Sequence, residues 1–375
     1  MSQASRQLRT LLEDAVERRM MADVPLGVFL SGGLDSSAIA ALLAERTDEL
    51  ETFAVSFPDN TFDESDEARY VADHLGANHH EVTVDISVID RLNDLVTHLG
   101  EPPSHPQFLP IYEVSRLARQ NGVKVALAGE GADELFGGYS RYQLVHRARR
   151  LVGTLPTMVY DAMERFAAVT PVGQDYCQYV AGLKDDETTL LEHNCGFDFD
   201  GLAPEALLTT SPGDDASGLT AEVRDAIASS ATDDTAQYMT TFDIKHLLPD
   251  FVLMKTDATS MAASREVRVP FMDHHLVEFA HRLPTDYRIT PDNEKAVLKR
   301  AVADIVPDRV LERNKHGMGI PVGSWFRRDH DAIADLLTEE RLATTPYVDS
   351  TRIRTLWDDH RARRGDHGRT LWTVL

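Results

Sequence analysis

The sequence predicts an α/β fold in which helices cover both faces of a parallel sheet. Short apolar runs typical of buried strands alternate with helical patterns between residues 6 and 128. The predicted helices are long enough to form the crossovers that parallel strands require. A glycine-rich turn directly follows the first predicted strand, at the sheet edge where such folds bind ligands.

The elements follow one another in a regular order. An amphipathic helix over 6–21 places its leucines, Ala15, Val16 and Met20 on one face. Strands are predicted over 24–30, 51–57, 80–84 and 123–128, and further helices over 38–44, 63–75, 86–99 and 111–120. Beyond about residue 150 the strand pattern disappears, with helical patterns over 159–193 and 219–248 and a surface loop over 196–218. Two subdomains, 1–150 and 151–375, are therefore expected.

The glycine turn is the segment Ser31-Gly32-Gly33-Leu34-Asp35-Ser36-Ser37. Two glycines allow close approach of a ligand to the backbone, and the following helix N-terminus favours an anion such as phosphate. The three serine hydroxyls add donors, and the Asp35 carboxylate can hold Mg²⁺ against that anion. The alternative interpretation is an ordinary strand-to-helix turn.

A second loop follows the fourth predicted strand, with the sequence Ala-Gly-Glu-Gly-Ala-Asp-Glu-Leu-Phe-Gly-Gly-Tyr over 128–139. Its three carboxylates lie just past a buried strand end, where they need a cation or a cationic partner. One interpretation is a second arm of a Mg²⁺–pyrophosphate site, with Asp133 facing Asp35. The other is a solvated acidic turn.

Composition limits the classes of function. The 375 residues contain 42% apolar residues and carry a net charge of −23, which argues against long nucleic acid as a partner. No apolar stretch is long enough to span a membrane, and the N-terminus lacks a signal-peptide core. The two cysteines, Cys177 and Cys195, suit a reducing cytoplasm. Only 7 of the 38 basic residues are lysines, and an acidic, lysine-poor surface is typical of a high-salt cytoplasm.

The first loop resembles the pyrophosphate-binding loop of the ATP pyrophosphatases, the PP-loop superfamily. The second loop narrows the resemblance to the synthetase domain of class B, glutamine-hydrolysing asparagine synthetases. This resemblance implies a five-stranded parallel sheet of the adenine nucleotide alpha hydrolase-like (HUP) type, with a mainly helical C-terminal subdomain. It also implies ATP-dependent amide formation through an acyl-adenylate, with AMP and pyrophosphate released. Conversion of aspartate to asparagine is the default expectation.

The resemblance also implies roles for individual residues. Glu130 and Lys295 would be catalytic, and Asp35 and Asp133 would bind Mg²⁺. The residues implied in binding ATP or pyrophosphate are Phe29, Leu30, Ser31, Gly32, Gly33, Asp35, Ser36, Ser37, Val55, Ala128 and Gly129. The sequence departs from the family pattern at Ala128, where serine is usual, and at Ala258, where arginine is common.

Two further segments match the family. The segment 255–274 resembles one that packs the helical subdomain on the sheet and forms part of the acceptor pocket. Within it, Glu266, Arg268 and Asp273 serve either catalysis or a structural ion-pair network. Lys315 is either a phosphate contact or an exposed lysine.

The glycine turn begins at position 31 and residue 2 is a serine, so we expect no N-terminal glutaminase domain in this chain. Expected nitrogen sources are free ammonia, another amine or a separate glutaminase subunit, unless the chain is an excised domain. The segment 103–110 lacks the Thr-Thr-x-Arg of one subgroup, which leaves other carboxylate substrates open, such as a sugar acid or a lactam precursor. A non-catalytic nucleotide-binding subunit is the alternative outside enzymes. The family resemblance also implies a homodimer.

Overall fold

The fold centres on one parallel sheet. The computed structural model describes residues 1–58, 62–85, 90–103, 105–143, 146, 207–209, 234–290, 293–313 and 319–375. In these residues five strands form a sheet in the order β3-β2-β1-β4-β5. The strands are β1 Leu26–Phe29, β2 Glu51–Ser56, β3 Asn78–Thr83, β4 Val125–Leu127 and β5 Glu266–Arg268. All four pairings are parallel, which confirms the predicted fold class.

Helices precede, connect and follow the first four strands, as the alternating pattern predicts. They are α1 Ser2–Met20, α2 Leu34–Ala44, α3 Ser65–Leu75, α4 Leu92–Leu99, α5 Phe108–Gln120 and α6 Ala132–Phe136. The predicted apolar face of α1 is buried at Leu8, Leu12, Ala15 and Val16. That face packs into the main core with α2 and the sheet, which is the burial expected of an amphipathic helix.

The C-terminal half of the chain is mainly helical in its described residues. Its helices are α7 Thr235–Lys245, α8 Met254–Ala262, α9 His274–Arg282, α10 Thr285–Arg288, α11 Ala296–Val302, α12 Asp308–Glu312, α13 Val322–Arg328, α14 His330–Leu336, α15 Glu339–Leu342, α16 Ser350–Arg361 and α17 Gly368–Val374. A π-helical segment, Leu248–Leu253, precedes α8, and a 3₁₀ turn, Pro270–Met272, follows β5. A second core, around Trp325 and Phe326, lies between the last helices and the helices α4 and α5.

The expectation that strands end near residue 150 is wrong at β5. This strand is three residues long with a charged residue at each end, so it lacks the apolar run of a buried strand. It forms because β4 has an open edge, where Val125, Ala126 and Leu127 pair with successive residues of β5. The fifth strand is thus specified by its partner.

Several predictions fall outside the described residues. These are the helix over 159–193, most of the loop over 196–218, the first part of the helix over 219–248, both cysteines, Lys315 and the subdomain boundary at residue 150. The division into 1–150 and 151–375 therefore stays a prediction. Within the described residues, every helix is too short or too polar to cross a membrane.

The glycine turn is held against the start of α3. Gly32 has a φ of +72°, and a Cβ at this position would lie 2.5 Å from the carbonyl carbon of Glu67 and 2.6 Å from the nitrogen of Ala68. Gly76, just after α3, has a similar φ of +67° with nothing within 4 Å of its Cβ position. The two glycines share the left-handed backbone and differ in packing.

This pair predicts how strongly the turn depends on close packing. Gly76→Ala should lower the free energy of unfolding by about 1 kcal/mol, the cost of the left-handed conformation alone. Gly32→Ala should lower it by about 3 kcal/mol, because the backbone of α3 must also move. Urea denaturation of both variants and the wild type measures the difference. Equal losses would show that the contact with α3 is not tight.

Candidate functional site

The two loops singled out in the sequence meet at the carboxyl edge of the sheet. β1 and β4 are neighbours, so the loop over 31–37 and the loop over 128–139 leave the sheet side by side. Their backbones touch at Gly129, where a Cβ would lie 2.9 Å from the Cβ of Asp35 and 3.0 Å from the nitrogen of Ser36. A side chain at this position would push the loops apart.

The serine hydroxyls fasten the first loop. The hydroxyls of Ser31 and Ser36 lie 3.1 Å apart, and the Ser36 hydroxyl also accepts the N–H of Ser31 at 3.2 Å. The Ser37 hydroxyl is buried and has no protein partner. No side chain caps the start of α2, whose first turn holds Asp35. The first N–H groups of α2 and the hydroxyls are the donor set that suits a phosphate group.

A buried lysine joins the two loops. The ammonium of Lys295 lies 2.5 Å from Asp35 Oδ2 and 2.5 Å from Asp133 Oδ1. Lys295 is only 3% exposed, although it precedes α11 in a polar stretch of sequence. Three segments far apart in the chain therefore converge, and they include the predicted metal ligands and one predicted catalytic residue.

The backbone adapts to place this lysine. Lys295 has φ 51° and ψ 35°, a left-handed conformation that is uncommon for a residue with a side chain. Gly138 leaves the room for it, because a Cβ there would lie 2.1 Å from Lys295 Cε and 2.0 Å from Asp133 Oδ1. Unfavourable conformations of this kind cluster at functional sites.

The carboxylates fit a magnesium ion bound together with phosphates. Asp35 Oδ1 is buried without a hydrogen-bond partner, so it has an unused acceptor. The described residues contain no group of three or more His, Cys, Asp or Glu side chains arranged for a metal. Mg²⁺ is commonly held by only one or two carboxylates, with phosphates and water completing the octahedron. Asp35 and Asp133 match that pattern.

The other two carboxylates of the second loop have separate partners. Glu130 Oε1 accepts the hydroxyl hydrogen of Thr256 at 3.0 Å, and its Oε2 is buried with no hydrogen bond. Glu134 is 1% exposed and accepts the Tyr139 hydroxyl hydrogen at 2.7 Å. Burial raises the pKa of Glu134 above its ordinary value. The interpretation of this loop as a solvated turn is therefore wrong.

Sequence reasoning missed Lys255 as an individual residue. It is 7% exposed at the start of α8, and its ammonium donates to Gln107 Oε1 at 2.8 Å. Burial lowers its pKa to about 8, against the opposing charges of Glu130 and Glu134. The available signal was its position directly after the apolar run Phe-Val-Leu-Met, in a chain with few lysines.

The residues predicted to line the nucleotide differ in how far they are buried. Leu30 and Ala128 are fully buried, and Leu30 belongs to the main core, so their side chains serve packing. Phe29 and Val55 are partly buried beside α5, at the sheet edge where the loops begin. Contact of these residues with a nucleotide stays a prediction.

The segment around β5 is held to α1 by hydrogen bonds and ion pairs. The buried Asp273 accepts hydrogen bonds from Arg18 at 3.2 Å and from Arg19 at 3.1 Å. Arg268 donates to the carbonyl of Arg19 at 2.9 Å and to Glu266 at 2.7 Å. These contacts favour the structural interpretation of Glu266, Arg268 and Asp273 over the catalytic one.

The Lys295 contacts predict a dependence of stability on the metal. Lys295→Met leaves Asp35 and Asp133 close together without a cation, which should cost about 3 kcal/mol of stability in the absence of Mg²⁺. Added Mg²⁺ should then raise the melting temperature of the variant more than that of the wild type. Thermal denaturation with and without Mg²⁺ measures both effects.

Lys299→Met, one turn further along α11, is the matched control because it removes the same charge away from the carboxylates. It should behave like the wild type towards Mg²⁺. If Lys295→Met were as stable as the wild type without the metal, the ammonium would not be the cation that holds the two loops.

Comparisons with known proteins agree with the resemblance seen in the motifs. The family model for asparagine synthase matches residues 7–375. A protein of Mycobacterium tuberculosis named putative asparagine synthetase (glutamine-hydrolyzing) is 36% identical over 98% of the chain and 56% of its own length. Asparagine synthetase (glutamine-hydrolyzing) 1 of Bacillus subtilis is 31% identical over 99% of the chain and 58% of its own length.

A fungal relative has a different name. The amidase chyE of Penicillium rubens is 29% identical over 91% of the chain and 56% of its own length. The chain thus spans little more than half the length of the curated relatives it matches.

Proposed function

The chain belongs to the asparagine synthase family, and we propose that it is an ATP-dependent ligase that forms a C–N bond through an acyl-adenylate. The observation that supports this most strongly is the convergence of Lys295, Asp35 and Asp133 beside the glycine turn. Cationic and carboxylate groups at the N-terminus of α2 are what a reaction at the α-phosphate of ATP requires.

In the proposed first step, a carboxylate oxygen of the acceptor attacks the α-phosphorus and the α–β anhydride bond breaks. The glycine turn binds the departing pyrophosphate through its serine hydroxyls and the N–H groups of α2. Lys295 stabilises the negative charge that builds up on the phosphates, and Glu130 assists formation of the acyl-adenylate. Mg²⁺, when bound by Asp35 and Asp133, neutralises phosphate charge.

In the second step an amine attacks the acyl carbon, a C–N bond forms, and AMP and one proton of the amine leave as the C–O bond breaks. Burial of the Lys295 side chain and of Glu130 Oε2 favours this step, because it limits the access of water that would hydrolyse the acyl-adenylate. Free ammonia or ammonia from a separate glutaminase subunit is the proposed nitrogen source. The proposed location of the protein is the cytoplasm. A homodimer is proposed from the resemblance alone.

Aspartate is the proposed acceptor, with asparagine as the product. The relatives named asparagine synthetase support this choice. Amidation of another carboxylic acid is the second candidate, supported by the relative named as an amidase and by the missing Thr-Thr-x-Arg near position 103. Both candidates share the adenylation step and differ only in the acceptor.

Pyrophosphate release from Mg-ATP tests the proposal. Release should require aspartate, and product formation should require ammonium in addition. Lys295→Met should reduce release at least about 100-fold, since removing one group that stabilises transition-state charge has that effect. Lys299→Met should retain activity.

The outcomes separate the candidates. Release with another carboxylic acid and none with aspartate would favour the second candidate. Nucleotide binding without release under any of these conditions would contradict the ligase proposal and favour a non-catalytic subunit.

We propose in addition that the protein is adapted to high salt, based on its net charge of −23 and its 31 arginines against 7 lysines. Repulsion between surface carboxylates should weaken as salt shortens the Debye length from about 10 Å at 0.1 M to about 3 Å at 1 M. The melting temperature should therefore rise steeply in this range of KCl and then level off. A melting temperature that falls or stays constant over this range would contradict the proposal.

A further inference from the structure

Within the described part of the chain, a single hydrogen bond holds the side chain of Glu130. Thr256 donates its hydroxyl hydrogen to Glu130 Oε1 at 3.0 Å, whereas Glu130 Oε2 is buried with no hydrogen bond. The last torsion of a glutamate side chain has only a broad intrinsic preference, so the carboxylate takes its orientation from its partners. Thr256 therefore determines which oxygen of Glu130 is left free.

The backbone around Glu130 is fixed by its two neighbouring glycines, but the side chain is not. Gly129 is packed against the first loop, with its Cβ position 3.0 Å from the nitrogen of Ser36. Gly131 has a φ of +91°, and a Cβ there would overlap Met272. This packing places the Cα of Glu130 and leaves its side-chain torsions to be set by another contact.

Thr256 is itself held firmly enough to set them. It is 3% exposed and lies in the first turn of α8. The preceding residue, Lys255, donates to Gln107 Oε1 at 2.8 Å and so ties the start of α8 to the start of α5. The π-helical segment Leu248–Leu253 ends directly before α8, and such segments are frequent at functional sites. The hydroxyl of Thr256 is thus presented to Glu130 from a fixed position.

Lys255 is a competing partner for the same carboxylate. The negative charge of Glu130 opposes the effect of burial on the pKa of Lys255, so the two side chains act on each other. Even so, the ammonium donates to Gln107, and the described residues contain no ion pair between Lys255 and Glu130. The hydrogen bond from Thr256 holds Glu130 where an ion pair with Lys255 would draw it away.

We propose that Thr256 is a positioning residue for the adenylation step, which holds Glu130 Oε1 and leaves Oε2 available to the reacting groups. This inference rests on the proposed function, because it assumes that Glu130 assists formation of the acyl-adenylate. A small displacement of a catalytic group slows a reaction strongly, since the rate depends on the alignment of the reacting atoms. Loss of the Thr256 hydroxyl should therefore slow the chemical step and leave nucleotide binding intact.

Thr256→Val removes the hydroxyl and keeps nearly the same shape. The rate of pyrophosphate release is measured in the full chain with saturating Mg-ATP, L-aspartate and ammonium. It should fall at least about 10-fold, the lower end of the range for a hydrogen bond to a charged group. The affinity for Mg-ATP, from titration calorimetry without an acceptor, and the circular dichroism spectrum should match the wild type.

Two variants separate the hydroxyl from packing. Thr256→Ser keeps the donor without the methyl group and should retain most of the wild-type rate. Thr259→Val, about one turn further along α8, is the matched control. Thr259 is fully buried like Thr256, but its hydroxyl has no hydrogen bond, so this variant should release pyrophosphate at the wild-type rate.

A double-mutant cycle determines whether Thr256 acts through Glu130. Glu130→Ala removes the acceptor of the hydrogen bond, so adding Thr256→Val to it should slow release no further. Two side chains that act as a unit give such a non-additive result, whereas independent structural effects add.

The inference is overturned if Thr256→Val releases pyrophosphate at the wild-type rate, or if Thr256→Ser loses as much as Thr256→Val. It is equally overturned if the effects of Thr256→Val and Glu130→Ala add. Failure of the proposed function is a different result, in which the wild type itself releases no pyrophosphate, and it would overturn this inference as well.

Discussion

The site depends on one electrostatic constraint, that two carboxylates brought to the same sheet edge need a cation between them. Asp35 and Asp133 follow neighbouring strands, so the parallel sheet forces them together whatever else the chain does. The Lys295 ammonium, 2.5 Å from both, meets that requirement within the protein. Gly129 and Gly138 leave room for the loops and the lysine, and the left-handed backbone at Lys295 follows from the same geometry. Charge at the sheet edge thus explains features that look unrelated in the sequence.

The two halves of the chain contribute different chemistry. Residues before 150 supply the hydroxyls, the helix N-terminus and the carboxylates, all at the ends of β1 and β4. Residues after 250 supply the buried Lys255 and Lys295, together with the threonine that donates a hydrogen bond to Glu130. The ion pairs from Asp273 to Arg18 and Arg19 fasten α1, which packs in the same core as α11, and so help to fix where Lys295 stands. Neither half holds a complete site.

Local pattern was enough to predict the first four strands. β1, β2 and β4 contain apolar runs next to a turn or a helical pattern, whereas the polar strand β3 begins two residues before the predicted range 80–84. The two loops could also be placed, since a loop that follows a parallel strand must lie at the carboxyl edge. β5 could not be predicted, as its charged ends satisfy no local rule and only the open edge of β4 makes it a strand. Lys255 was missed for a similar reason. Its burial is decided by α5 and the π-helical segment, and a sequence pattern treats a lysine as a surface residue.

The pairing of β4 with β5 has a consequence for how the chain folds during its synthesis on the ribosome. Val125 in β4 cannot pair with Glu266 until β5 has been synthesised, so the edge of β4 stays open while the residues between the two strands are made. At about 5–20 residues per second this exposure lasts on the order of ten seconds. An apolar strand with an unpaired edge is a template for intermolecular association during that interval. Protection of the nascent chain by a chaperone is therefore most valuable between the synthesis of these two strands, well before any ligand can stabilise the fold.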